Sequence, residues 1–113
     1  MALALNVFKT VTKVVSTSPV GIYTAPVGYT GVVILAQVAN TGNVTQTVTF
    51  SHQRTISGIA VTTEIVKDFP IPANDSASFL DGKLALESND VLVISGNSSS
   101  NLKFTGSILE TLK

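Results

Sequence analysis

The feature that most constrains this chain is its load of β-branched residues, with 15 Val, 8 Ile and 14 Thr among 113 positions. A side chain forked at Cβ loses rotamer freedom against the preceding turn of a helix and packs well on a pleated surface, so strands are expected throughout. Local patterns agree. Val44, Gln46, Val48 and Phe50 alternate with Thr45, Thr47 and Thr49, and Val61, Thr63, Ile65, Lys67 and Phe69 alternate with Thr62, Glu64, Val66 and Asp68. A period of two is that of a strand with two unlike faces. The run Val32-Val33-Ile34-Leu35-Ala36 is apolar at every position, as expected of a central strand covered on each side.

Turn residues fall at short intervals: Ser18-Pro19 and Gly21, Pro26 to Gly28, Asn40 to Asn43, Ser57-Gly58, Pro70 to Asp75, Asp81-Gly82, Ser88 to Asp90, and Gly96 to Asn101. Asn40-Thr41-Gly42-Asn43 reads as a hairpin turn, and Asp81-Gly82 as a tight turn with glycine at positive φ. Pro70 and Pro72 cannot donate ladder hydrogen bonds, which puts that segment at a sheet edge or in a crossover. This punctuation predicts an all-β fold, a single β-sandwich of about eight or nine short antiparallel strands with jelly-roll or immunoglobulin-like connectivity. The sandwich is expected over residues 19–113, with residues 1–18 a strand or arm. Leu3, Val7, Val11, Val14 and Val15 lie near helical spacing, but the Val and Thr content there disfavours an isolated helix.

Charge is scarce. Only 12% of residues are charged, seven basic against seven acidic, where ordinary soluble domains carry about 25%. Neutral polar residues take their place, with 12 Ser and 7 Asn beside the 14 Thr. An apolar fraction of 44% is too high for disorder, and zero net charge excludes a polybasic nucleic-acid binder. Met1 to Ser18 has no basic start ahead of a continuous apolar stretch, so no signal peptide is read there. The longest uncharged apolar run, Gly31 to Ala39, is short of the roughly 20 residues a membrane-spanning helix needs. Together these lead to the expectation of a soluble chain made in a cytoplasm.

No catalytic, cofactor-binding or metal-ligating residue is assigned, and no cofactor is expected. Cysteine and tryptophan are absent and His52 is the one histidine, which removes thiol chemistry and disulfides, and leaves zinc short of its usual ligands. Ser51 and His52 with Asp68 or Asp90 supply the residue types of a nucleophilic triad, but no Gly-x-Ser-x-Gly turn exposes a serine. Asp75, Asp81, Glu87 and Asp90 cluster in sequence without the spacing of a calcium loop, and each lies beside a turn residue whose backbone a short acid can bond. The Asn-x-Ser/Thr sequons at Asn43, Asn74 and Asn97 read as turns. A β-domain with so few charges has little to guard its strand edges, and burial of those edges against copies of itself or a partner is the expected remedy.

Several segments carry a family resemblance. Ile22-Tyr23-Thr24-Ala25-Pro26-Val27-Gly28-Tyr29-Thr30-Gly31 running into Val32 to Asn40, Val66-Lys67-Asp68-Phe69-Pro70-Ile71-Pro72 leading to Ser76, Gly82 to Glu87 with Asn89-Asp90-Val91-Leu92, and Ser107 to Glu110 together resemble small virion proteins of tailed bacteriophages of cyanobacteria. The family pattern often has Gly-Asp where this chain has Asn89-Asp90, and Asn also takes the left-handed turn conformation. The resemblance implies a non-enzymatic structural protein of the virion, made in the host cytoplasm. It would act as a capsid decoration or cement protein that self-associates, with a trimer expected, and docks on the major capsid protein or other virion proteins, using neither nucleic acid nor membrane. Two alternatives stand beside it: a tail, neck or fibre component, and a carbohydrate- or host-surface-binding module using Tyr23 and Tyr29.

Overall fold

The computed structural model describes residues 6–98 and 100–112. Nine strands follow one another: β1 (Asn6–Val14), β2 (Val20–Thr24), β3 (Tyr29–Asn40), β4 (Gln46–Ile56), β5 (Ile59–Ile71), β6 (Ser76–Ser78), β7 (Leu84–Leu86), β8 (Val91–Gly96) and β9 (Leu102–Leu112). One sheet runs β1-β9-β3-β6 with β7 also paired to β3, and the other runs β2-β8-β4-β5. All pairings are antiparallel. Except at β4–β5 and β6–β7, successive strands cross between the sheets, and the first pairs with the last, which is jelly-roll connectivity and resolves the two topologies left open by sequence.

The core lies between the sheets. Val33, Ala36 and Val38 of β3, Phe104 and Ile108 of β9, Val48 and Phe50 of β4, and Leu92 and Ile94 of β8 are all buried. Phe50 stacks on Phe79 and Phe104 at centroid distances of 5.3 and 5.7 Å. Val15 is also fully buried, and its backbone N–H donates to the Leu102 carbonyl at 2.9 Å. Helical spacing in residues 2–16 therefore does not become a helix: residues 6–14 form β1, an edge strand paired along its length with β9. The part of that segment before residue 6 lies outside the described residues.

Two turn readings fare differently. Asn40 to Asn43 does not close a hairpin, because β3 and β4 belong to opposite sheets. Asn40 instead anchors a crossing: it is buried, and its Nδ2 donates to the Val44 and Ile71 carbonyls at 2.8 and 2.9 Å. The true two-residue hairpin is Ser57-Gly58 between β4 and β5, with φ of 53° and 79°, the pair of positive values a type I′ turn requires. Gly82 takes φ 128° and Asn89 φ 70°, as their turn chemistry predicts. Pro70 lies on β5, which is the edge of its sheet.

Candidate functional site

One end of the sandwich brings together His52, Arg54, Glu87 and Asp90. The side chains of Phe50, His52 and Arg54 follow one another along one face of β4, the first in the core and the others past its end. His52 Nε2 meets Asp90 Oδ2 at 2.9 Å, Arg54 Nε reaches the same carboxylate at 3.3 Å, and the Glu87 backbone N–H donates to it at 3.0 Å. Asp90 is buried. Burial pushes its pKa up, but the hydrogen bonds from His52, Glu87 and Arg54, with the Arg54 charge, outweigh that and lower it. An ionised carboxylate can only accept, so His52 carries its proton on Nε2. The Asp90 carbonyl also accepts from Ala25 N, and Asn89 N donates to the Ala25 carbonyl. These contacts clamp the loop at residues 87–90 to β4 and to the turn after β2.

This cluster is not a triad. Ser51 is adjacent to His52 on a strand, so its side chain projects to the opposite face of β4, beside Glu64 and Val93. Asp68 sits at positive φ on β5, its N–H donating to Thr49 Oγ1 at 3.1 Å. The four clustered acids disperse: Asp75 caps the turn before β6, bonding the Ser76 N–H, Asp81 lies in the turn before β7, and only Glu87 and Asp90 meet, through Arg54. Among the described residues, no three His, Cys, Asp or Glu side chains are grouped to hold a metal ion. The sequons fall at the other end: Asn43 in the β3–β4 crossing, Asn74 in a turn at φ 58°, and Asn97 accepting the Thr47 N–H at 2.9 Å.

Tyr23 is occupied structurally. Its hydroxyl donates to Glu110 Oε2 at 2.6 Å and lies above Gly31, where an added Cβ would come within 3.2 Å of the phenol oxygen. Burial, then the Glu110 carboxylate, raise its pKa. Glu110 is buried, on the same face of β9 as Leu102, Phe104 and Ile108, with which it alternates in step.

The edges and faces hold what sequence patterns missed. Each sheet has two edges. β2 is short and bulged at Gly21/Tyr23, and β6 and β7 have three residues each. β5 is long but shifts register twice against β4 and carries Glu64, Lys67, Asp68 and Pro70. Those devices discourage pairing with a foreign strand. β1 has little of them: nine residues, paired to β9 with no register shift, guarded by Lys9 and Lys13. Beside this edge, Phe8, Leu109, Val32 and Ala85 are directly paired across four strands. They form an apolar rung on the outer face of the sheet. Phe8 is 73% exposed and Ile34 40%. The apolar run 32–36 is thus central, as expected, but its outer face is not fully covered within the chain.

The fold and these surfaces define a class: a jelly-roll β-sandwich whose polar cluster serves as a loop clamp and which presents one apolar outer face beside one weakly guarded edge. No protein-family model matches the sequence, and no curated protein does. Among solved structures, the chain is similar to a protein of Bacillus endospore appendages, described as a novel family of disulfide-linked pili, with a TM-score of 0.51 and 16% identity over 100% of this chain and 97% of that one. At that identity the likeness shows the fold alone: two antiparallel sheets packed as a sandwich of nine strands.

Proposed function

We propose that this chain is a non-catalytic structural subunit that assembles with copies of itself into an extended, fibre-like structure, and that in a virion it takes the place of a tail, neck or fibre component. The observation that carries this reading is the apolar rung Phe8–Leu109–Val32–Ala85 ending at the β1 edge. Contiguous apolar surface next to an unbulged strand edge favours burial against another chain, by packing of the face and by backbone pairing along the edge. The edge on the far side of the molecule, β5, differs in length, charge and bulges. A contact joining unlike surfaces gives a filament when its rotation does not close a ring, whereas a two-fold contact stops at a dimer.

The likeness to a pilus protein supports the fibre over other structural roles. The described disulfide linkage of those pili has no counterpart here, because this chain has no cysteine; the contacts proposed for it are packing and backbone pairing. Docking on a capsid lattice as a decoration protein, with the trimer that reading carries, would use the same apolar face against a capsid protein. Jelly rolls serve in capsids as well as elsewhere, so the fibre is preferred on the pilus likeness together with the open β1 edge, and not on the fold class.

Light scattering and negative-stain microscopy of the purified chain test the proposal. Ordered assemblies many times the 11.8 kDa monomer are expected, with dissociation to monomers of unchanged melting in Phe8→Asp. A monodisperse monomer at micromolar concentration, or assembly indifferent to Phe8→Asp, would sink it. Bound density on heads mixed with the protein, without self-assembly, would return the decoration role.

A further inference from the structure

The outer face of the second sheet is the polar counterpart of the apolar face. Gly21 of β2 pairs with Val93 of β8, Val93 with Ser51 of β4, and Ser51 with Glu64 of β5, so these four residues form one rung across the whole sheet. Gly21 contributes no side chain, and β5 and β2 bulge beside the rung. Bulges bend a sheet locally and re-aim side chains, and here a cleft of about 380 Å³ opens over the rung, flanked by Gln53, Thr62 and Ser95.

The polar groups of this cleft are poorly used by the chain. Ser51 is 5% exposed, yet among the described residues its hydroxyl has no hydrogen-bond partner and is not sealed from solvent; it opens to solvent on the face where the cleft lies. The Glu64 carboxylate and Ser95 hydroxyl likewise have no partner among the described residues. Gln53 Nε2 meets Thr62 Oγ1 only at 3.4 Å, a contact at the limit of hydrogen bonding. A hydroxyl that reaches solvent is bonded by water, and a ligand hydroxyl can take that water's place.

We infer that this cleft is a binding site for a neutral, hydroxyl-rich ligand, a mono- or disaccharide unit of a larger glycan. The chemistry selects that class. Hydroxyls and an amide both donate and accept, which matches a sugar's hydroxyls, and one unpaired carboxylate can accept from two neighbouring hydroxyls at once. With no cation in the lining and Glu64 present, an anion is repelled. Val93 and Pro19 give too little apolar surface to hold an apolar ligand. The volume is at the small end of ligand pockets. No aromatic ring lines the cleft, so the sugar is held by hydrogen bonds rather than stacking, and Tyr23 and Tyr29 take no part. The site does not depend on self-assembly, although copies in an array would multiply a weak affinity.

The test is a ¹H–¹⁵N NMR titration of the full chain with glucose, galactose, mannose, N-acetylglucosamine, maltose and lactose in the millimolar range. Saturable shifts confined to the amides around Ser51, Gln53, Thr62 and Glu64 are expected for at least one sugar, weakened about tenfold in Glu64→Gln, the loss of one charge-assisted contact. Ser51→Ala should weaken the same sugar. Glu64 is exposed, so Glu64→Gln keeps the fold even if Ser51→Ala disturbs it. No saturable shift with any sugar, shifts unmoved by Glu64→Gln, or shifts of the same amides with protein concentration alone would each overturn the site, the last by showing that a second copy covers it.

Discussion

At the scale of single residues, two buried carboxylates do unlike work with the same chemistry. Asp90 accepts from His52, Arg54 and the Glu87 backbone, and Asp90→Ala leaves those donors facing a void, at an expected cost of about 2–4 kcal/mol by denaturant melts. The Arg54–Glu87 pair, at 3.0 Å with both side chains well exposed, contributes little by comparison, so Glu87→Gln should leave the midpoint nearly unchanged. The pH dependence follows from the lowered Asp90 pKa. A depressed folded pKa means the unfolded chain binds the proton more readily. The stability it supplies is therefore full above the unfolded carboxylate value of about 4 and is lost as pH falls through the folded value. Melting temperature should drop on that acidic limb, and the drop should shrink in Asp90→Asn. Tyr23 has the opposite sign: with its pKa raised, stability is full below about pH 10 and is lost above it, and ultraviolet titration should find the Tyr23 phenol protonated until the fold opens. The sequence showed Tyr23 and Asp90 as residue types near turns; it could not show Glu110 beneath Tyr23, because that contact joins positions 87 apart.

Strands were legible where one face is apolar and the other polar, and the connections between them were not. Asn40 to Asn43 has the composition of a hairpin turn, yet β3 finds β9 and β4 finds β8, because pairing is decided by distant strands whose faces complete the core. Ser57-Gly58, a weaker-looking turn, closes the longest hairpin. That hairpin outruns its sheet. β8 pairs with β4 only from Val48 to Gln53, so Arg54 to Ile56 and Ile59 to Val61 pair with each other alone, and Ile56, Ile59 and Val61 are exposed. A two-stranded ribbon is marginally stable by itself. Amides of residues 54–61 should exchange far faster than those of 48–53 in hydrogen-exchange measurements. Gly58→Val at φ 79° should cost about 1–2 kcal/mol locally while leaving the global melt almost in place, since nothing in the core rests on the turn. Equal protection along the hairpin would mean that another chain covers it in solution.

The whole molecule, 49 × 30 × 23 Å, has two unlike sides, an apolar rung at an open edge and a polar cleft on the opposite sheet, with no net charge to bias either. Scarcity of charge was plain in the sequence; its placement was not, because the alternation of β1 and β9 puts Phe8 and Leu109 outward only once the two strands pair in this register. The asymmetry decides how assembly should respond to salt. Attachment driven by opposite charges weakens as ionic strength rises, since exposed charges are screened beyond about 8 Å at physiological salt. Burial of an apolar face is not screened, and salts excluded from protein surfaces strengthen it. Lys9 and Lys13, spaced along the open edge, carry charges that lose solvent when another chain covers that edge, a cost that opposes assembly. Self-association followed by light scattering should therefore hold or rise between low and moderate sodium chloride, rise further in sulfate, and strengthen in Lys9→Thr. A fall with sodium chloride would locate the contact on charged residues instead, at β5 or the Arg54–Glu87 end, and would leave the apolar rung without the role argued for it.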